Sequence, residues 1–194
     1  MNKRIIFPIY LCALLTVIFS CVKNSEINNI TQKKNKETTV PKNTQTLTII
    51  DSIKANFKKL NSIEKWDKIV KIDLDDTTEG GEANYYYLNN QLAKIVVKQY
   101  GENFQLISEY YTINNQLSFV YEKMYQYNRP ITYDSVMMKE NGDNEIFDFD
   151  KSEIVETRSY FDNEQLIQQI SNDAEKSTAK DLINDYKYLL GLME

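Results

Sequence analysis

The sequence contains no histidine, and only two of its 194 residues are cysteines. Without histidine the chain cannot build a Ser-His-Asp or Cys-His nucleophilic site, or a histidine-ligated zinc centre. Glycine is scarce too, with five residues, and no glycine-rich phosphate-binding loop occurs. An enzyme would have to use a pair of carboxylates or a serine with a lysine, and residue spacing singles out neither. We therefore expect no enzymatic activity and no cofactor.

Proline is also rare, with three residues, and the low content of glycine and proline argues against a wholly disordered chain. Hydrophobic residues make up 42% of the sequence and charged residues 26%, which suits one globular domain with a real core. The formal net charge is −5, so nucleic acid is not expected as a partner.

The longest apolar run lies at the N-terminus. Lys3 and Arg4 precede this run, which covers residues 5–19 and stops shortly before Cys21. The arrangement is typical of a secretory signal peptide, and the run is too short and wrongly flanked for a membrane-spanning helix. Residues 1–20 are therefore predicted to be a signal peptide.

Residues 18–21, Ile-Phe-Ser-Cys, resemble the lipobox of bacterial lipoproteins. The resemblance implies that the signal is cut before Cys21, whose sulfur receives a diacylglycerol and whose amino group is acylated. Several acyl chains, at about 0.8 kcal/mol per buried methylene, would anchor the protein in a lipid bilayer. The alternative is an ordinary signal peptide with an incidental cysteine. Cys12 lies inside the apolar run, so no disulfide is expected in the mature chain.

The residues after the cysteine bear on location and domain organisation. Gram-negative members of that family use an aspartate there for inner-membrane retention, whereas this chain has Val22, which favours the outer membrane. Residues 21–44 are rich in Asn, Thr and Lys and are predicted to be a disordered tether. Loss of Lys3 and Arg4 with the signal would change the net charge from −5 to −7. A single globular domain is predicted over residues 45–194.

Helical spacing of apolar residues predicts an amphipathic helix at each end of this domain. The N-terminal helix is expected to start near Thr46 and to expose a basic face, towards solvent or towards anionic lipid headgroups. Residues 172–175 have the form of a capping box and would start the C-terminal helix. Residues 68–74 and 131–138 are predicted to be strands.

The pattern Tyr-x-x-Asn-x-Gln-Leu occurs three times, starting at Tyr86, Tyr111 and Tyr160. Each copy places a tyrosine-rich segment before a polar turn and an aliphatic segment after it, which predicts a β-hairpin. Asparagine tolerates the positive φ that a two-residue hairpin turn requires. The first turn residues are 25 residues apart (114 − 89) and then 49 apart (163 − 114), and the second interval is close to two periods. The predicted turn residues are Asn89, Asn90, Asn114, Asn115 and Asn163.

The pattern resembles MORN-type repeats, which carry a Tyr-Tyr-x-Asn-Gly-x-Leu turn and stack as successive hairpins in a long curved sheet. Those repeats have glycine after the asparagine, where this chain has Asn90, Asn115 and Glu164. The resemblance implies an architecture and no function. The predicted fold class is α+β: an antiparallel β-meander of stacked hairpins over about residues 84–171, flanked by an N-terminal and a C-terminal amphipathic helix.

Tyrosine is abundant, and ten of the fourteen tyrosines fall between Tyr85 and Tyr133. Alternation along residues 117–127 places Leu117 and a mostly aromatic row on one face of the sheet. Such rows pair across strands, or they stack sugar rings or grip a protein partner. The candidate partner-binding residues are Tyr85, Tyr87, Tyr121, Tyr125 and Tyr127.

Carboxylates are concentrated in two stretches, residues 73–82 and 143–153. Such stretches can hold Ca²⁺, which takes roughly six to eight oxygen ligands, but the spacing matches no calcium-binding loop. We interpret both as solvated acidic loops and expect no metal.

These features favour a lipid-anchored protein of the bacterial cell envelope that acts as a non-catalytic binding or assembly module. Its expected partners are the bilayer, through acylated Cys21, and a protein or a glycan. Two alternatives stay open. One is a hydrolase of envelope polymers that uses paired carboxylates, and the other is an inhibitor or immunity-type protein that blocks another enzyme.

Overall fold

The computed structural model describes residues 42–194. The predicted signal peptide, Cys21 and nearly all of the predicted tether lie outside the described residues. None of the helices in the described range is long and apolar enough to cross a membrane. The elements in chain order are α1 (Lys42–Asn61), β1 (Lys68–Leu74), β2 (Gly81–Leu88), β3 (Gln91–Gly101), β4 (Phe104–Ile113), β5 (Gln116–Gln126), α2 (Ser135–Glu140), a 3₁₀ turn (Phe149–Lys151), β6 (Glu153–Asp162), β7 (Gln165–Ser171) and α3 (Ala179–Gly191).

The seven strands form one sheet in which each strand pairs with its neighbours in sequence, β1 to β7. Every pairing is antiparallel. Helix α1 packs on one face of the sheet, called the α1 face below, and helix α3 packs on the other, called the α3 face. The predicted fold class is confirmed: an α+β fold with an antiparallel meander and a helix at each end.

Each face of the sheet has its own hydrophobic core. On the α3 face, Leu182 and Leu189 of α3 pack with Tyr85, Ile95 and other residues of the strands. The smaller core on the α1 face joins helix and strand residues that are buried; they are Ile50, Ile53, Leu60, Ala93, Tyr111, Phe119 and Tyr160. The apolar spacing that predicts α1 is therefore the spacing of this core. The helix begins at Lys42, four residues before the expected start near Thr46.

All three repeat turns are two-residue hairpin turns at the same end of the sheet. Both central residues have positive φ in each turn, with values of 51° and 61°, 51° and 62°, and 49° and 60°. After each turn the returning strand carries one extra residue, a β-bulge, at Ala93, Ser118 and Ile167. Strict alternation predicted that Leu117 lies on the same face as Phe119, and this is wrong. Because a bulge reverses the alternation of side chains, Leu117 packs in the α3-face core and Phe119 in the α1-face core.

The interval of 49 residues between the second and third turns is not two repeat periods. Strands β5 and β6 pair directly, and residues 127–152 between them form an insertion that contains α2 and the 3₁₀ turn. The three turns are therefore successive hairpins, about 10 Å apart in a sheet whose neighbouring strands are about 4.8 Å apart.

Two local predictions were wrong. Residues 131–138 form no strand, because the Asp134 carboxylate accepts the N–H groups of Val136 and Met137 at 2.8 and 3.0 Å and starts helix α2. The capping box of α3 is formed by Thr178 and Asp181, not by residues 172–175.

The third turn provides a stability test, since Glu164 holds φ at 60° without the asparagine of the other two turns. A non-glycine residue in this region costs about 1–2 kcal/mol. Glycine avoids this cost, but part of the gain is lost because its freer backbone must be ordered on folding. We expect Glu164→Gly to raise the free energy of unfolding by about 0.5–1 kcal/mol in denaturant titrations. Glu164→Gln is the control, because it removes the exposed ion pair with Lys187, at 3.4 Å, and keeps the strain. A Gly variant no more stable than the Gln variant would contradict the strain argument.

Candidate functional site

The five candidate tyrosines do not lie on one surface. Tyr85 was predicted as a partner contact, and this is wrong, because its side chain is 0% exposed and its hydroxyl donates to the Leu189 carbonyl oxygen at 2.8 Å. Tyr87 packs at the border of the same core, and its hydroxyl lies 3.0 Å from the Met193 sulfur. Both residues hold α3 on the sheet.

The other three tyrosines are partly exposed, with Tyr121 in the middle of β5, Tyr125 near its end and Tyr127 just after it. Tyr121 packs at the border of the α1-face core. The rings of Tyr125 and Tyr127 both contact Phe149 of the insertion, with ring centroids 5.2 and 6.0 Å apart, and Tyr127 also contacts Phe147. These residues form an aromatic cluster at the end of the sheet opposite the repeat turns.

Helix α1 lies over the half of its face that is nearer to the repeat turns, and a groove of about 350 Å³ opens beside it. Phe57 of the helix contacts Phe119 edge to face at 5.4 Å, and Phe119 contacts Tyr160 at 4.9 Å, so the walls are largely aromatic. This size lies within the usual range for ligand pockets, about 300–1,000 Å³. The lining residues are Ile53, Lys54, Phe57, Phe119, Tyr121, Arg158 and Tyr160.

The open side of the groove is polar. Glu156 accepts hydrogen bonds from the Tyr121 hydroxyl and from Arg158 Nη2, both at 2.9 Å, and the Arg158 guanidinium lies 5.3 Å from the centre of the Tyr121 ring. The Tyr121 hydrogen bond is the main reason why the pKa of Glu156 is lowered. Partial burial, followed by Glu156, raises the pKa of Tyr121 to about 12, so the hydroxyl stays a donor at neutral pH. With Lys54 at the same groove, these side chains carry a net charge of +1 (two cations, one anion).

A second cleft, of about 370 Å³, lies on the α3 face and is acidic. Glu122 of β5 and Asp185 of α3 both line it, and Ser177 Oγ donates to Glu122 at 2.7 Å. Burial raises the pKa of each carboxyl, and the charge on Asp185 adds to the effect at Glu122. Tyr188 at the same cleft donates to Asp76 at 3.1 Å.

Glu122 makes folding stability depend on pH. A carboxyl whose pKa is higher in the folded than in the unfolded chain favours folding at low pH, and this contribution is lost as the pH rises from about 4.3 through the folded pKa. Glu122→Gln, which keeps an acceptor for Ser177, should therefore be more stable than the wild type at pH 7, and the difference should shrink towards pH 4. Glu82→Gln should do the opposite, because Lys71 at 2.8 Å lowers the pKa of Glu82. Thermal unfolding from pH 4 to 8 measures the stability of both variants. A change in stability of the same sign for the two variants at pH 7 would contradict the opposite pKa shifts of Glu122 and Glu82.

Neither acidic stretch gathers ligands for a metal. The described part of the chain contains no group of three or more His, Cys, Asp or Glu side chains placed to hold one ion. In the second stretch Asp143 accepts hydrogen bonds from Arg129 and Tyr133 at 2.8 and 2.6 Å. Lys151 pairs with Glu145 at 3.0 Å. These carboxylates hold the insertion together.

Sequence reasoning named Tyr121 but missed Arg158 and Glu156. Both lie on the same face as Tyr160 of the third repeat, two and four residues before it, so alternation from that tyrosine could have found them. Comparisons of this chain with family models, curated proteins and solved structures found no match.

Proposed function

We propose that this chain is a lipid-anchored protein of the bacterial cell envelope and acts as a non-catalytic binding module, and that a protein partner docks in the groove beside α1. The observation that carries the proposal is the groove itself: aromatic walls, a cationic open side, and no helix over it in the described part of the chain. The apolar walls favour a partner group that leaves water, and the charges fix its orientation.

The chemistry of the groove indicates which partner group fits. Aromatic residues and arginine are enriched in protein interfaces. The basic open side of the groove favours an acidic group on the partner. Tyr125 and Phe149, further along the same side, extend the aromatic surface. The expected partner therefore presents an aromatic or branched apolar side chain next to a carboxylate.

The proposed location in the cell envelope rests on the N-terminal sequence. Acylation at Cys21 would hold the chain at the membrane, and residues 22–41 would link the anchor to α1. The absence of Asp at position 22, occupied by Val22, favours the outer membrane.

A photoreactive amino acid placed in the full chain tests the docking site in living cells. At Lys54, beside the groove, irradiation should give an adduct of discrete mass, and at Lys180, exposed on α3, it should not. Arg158→Gln in the Lys54-labelled chain should lower the yield about tenfold, the loss expected for about 1.4 kcal/mol of binding. Equal adducts at both positions, or none at Lys54, would remove the proposal. If the captured protein is an enzyme that the purified chain inhibits, the module is of the inhibitor type.

A second candidate function is hydrolysis of an envelope polymer, and the observation that favours it is the acidic cleft. Two carboxyls with raised pKa values in one cleft are a common arrangement for general acid catalysis. Glu122→Gln and Asp185→Asn would then each abolish release of soluble fragments from the purified polymer without lowering the unfolding midpoint, whereas Glu156→Gln, on the other face, would not. A wild-type chain that releases no fragments excludes this candidate.

A further inference from the structure

The open sheet has two edge strands, and they differ in charge. Strand β1 contains Lys68, Lys71 and Asp73, and Lys71 pairs with Glu82 of β2 at 2.8 Å. Strand β7, Gln-Leu-Ile-Gln-Gln-Ile-Ser, has no charged residue and no proline. Charged side chains, lysine above all, are what natural edge strands use against pairing with other chains. Strand β7 lacks that protection.

The backbone of β7 offers free hydrogen-bonding groups on its outer side. Asn172 donates its backbone N–H to the Glu156 carbonyl oxygen at 3.3 Å, so these two residues form a hydrogen-bonded pair. Because such pairs alternate with non-hydrogen-bonded pairs along an antiparallel ladder, Gln169 and Ser171 direct their N–H and C=O groups away from the sheet. Among the described strands β7 pairs with β6 alone. The bulge at Ile167 confines the regular part of this edge to residues 168–171.

Helix α1 runs in the direction of this edge. Asn61 and Asn56 donate hydrogen bonds to residues of β4, whereas Ile49 and Ser52 line a pocket between the β4–β5 turn and the β6–β7 turn. The helix therefore crosses the strands from the β7 side, and residues 42–48 continue for about 10 Å in the direction of the free edge.

Two exposed apolar side chains stand at this edge on the α1 face. Leu47 is 56% exposed and lies two helical turns before Lys54, so it points to the side of α1 on which the groove opens. Ile170 is 46% exposed and pairs across strands with Arg158, which lines the groove.

We infer that β7 pairs antiparallel with β7 of a second copy of this chain, so that the two sheets become continuous across a twofold axis. A second copy fits because an uncharged strand meets itself without like charges, and outward backbone groups on both copies find partners. The axis also brings the N-terminal turns of each α1 towards β7 of the other copy. Leu47 and Ile170 of both copies thereby leave water together.

Cross-linking in membranes tests this dimer with the full chain. Gln168→Cys, exposed on β7, should give a cross-linked dimer with a short bis-maleimide, whereas Lys68→Cys on β1 should stay at the level of the parent chain, whose cysteines are Cys12 and Cys21. Adding Ile170→Lys should lower the dimer yield about tenfold or more, because it brings like charges together at the new pairing. Ile69→Lys, on the β1 edge and 53% exposed, is the matched control and should leave the yield unchanged.

Sedimentation of the purified chain in density-matched detergent gives an independent readout. The wild type and Ile69→Lys should have the mass of two chains and Ile170→Lys the mass of one, all three with the same circular dichroism spectrum. A monomeric wild type, equal cross-linking from β1 and β7, or a cross-link from β7 to a different protein or to residues 22–41 of the same chain would overturn the inference.

Discussion

Cys21→Ala is expected to remove the mature-size protein from the membrane fraction completely. The three acyl chains that the lipoprotein resemblance assigns to this residue would each contribute about 0.8 kcal/mol per buried methylene, and no surface contact of the folded domain approaches that sum. Fractionation followed by immunoblotting, with the N-terminal mass determined on purified protein, measures the change.

Cys12→Ala is the matched control for this experiment. It removes the chain's other cysteine from within the apolar run and should leave processing and membrane attachment as they are in the wild type. If the Cys21→Ala chain is still found in membranes at the normal processed mass, the proposed anchor is wrong. The fold and the groove described for residues 42–194 do not depend on that outcome.

The turns were the most predictable part of the fold. The turns at Asn89–Asn90 and Asn114–Asn115 require positive φ, which few residue types tolerate. Aromatic residues before each turn and aliphatic residues after it mark the two strands, so the sequence there predicts the geometry. The bulge at Ser118 was not predictable, because no residue type is required at a bulge of this kind. Since one bulge turns the following alternation over, the face of Leu117 was assigned wrongly from a correct strand.

The insertion between β5 and β6 hid the rest of the pattern. Its 26 residues (127–152) nearly equal one repeat period of 25, so counting along the chain suggested a missing hairpin. Local signals misled at the start of α3 for a related reason: Asn172–Glu175 and Thr178–Asp181 both have capping-box form, and only the packing of Leu182 on the sheet selects the second.

The candidate site was predictable only in part. Alternation placed Tyr121 on the side of an aromatic row, but the groove also needs Arg158 from β6 and Lys54 from α1. Which half of the α1 face the helix covers depends on how α1 crosses the strands, and the sequence of the strands does not contain that angle. Tyr85 and Tyr121 likewise look alike in sequence, but Tyr85 is buried in the core with α3 and Tyr121 stays partly exposed beside α1.

Tyr85→Ala is expected to lower the free energy of unfolding by about 3–5 kcal/mol, the range for aromatic-to-alanine changes in cores. The side chain is fully buried between β2 and α3, and its loss also leaves the Leu189 carbonyl oxygen without its 2.8 Å hydrogen bond. Since whole domains are stable by about 5–15 kcal/mol, this loss is a large fraction of the total. Urea titration followed by circular dichroism measures the loss.

Two further variants separate packing from binding. Tyr85→Phe keeps the ring and should lose about 1 kcal/mol, because only the hydrogen bond to Leu189 disappears. Tyr125→Ala, whose ring meets Phe149 at the partly exposed aromatic cluster, should cost less than Tyr85→Ala in stability but should weaken partner capture by the Lys54-labelled chain. If Tyr85→Ala and Tyr125→Ala unfolded at the same urea concentration, Tyr85 could not be the core residue that joins α3 to the sheet, and the separation of structural from binding tyrosines would fail.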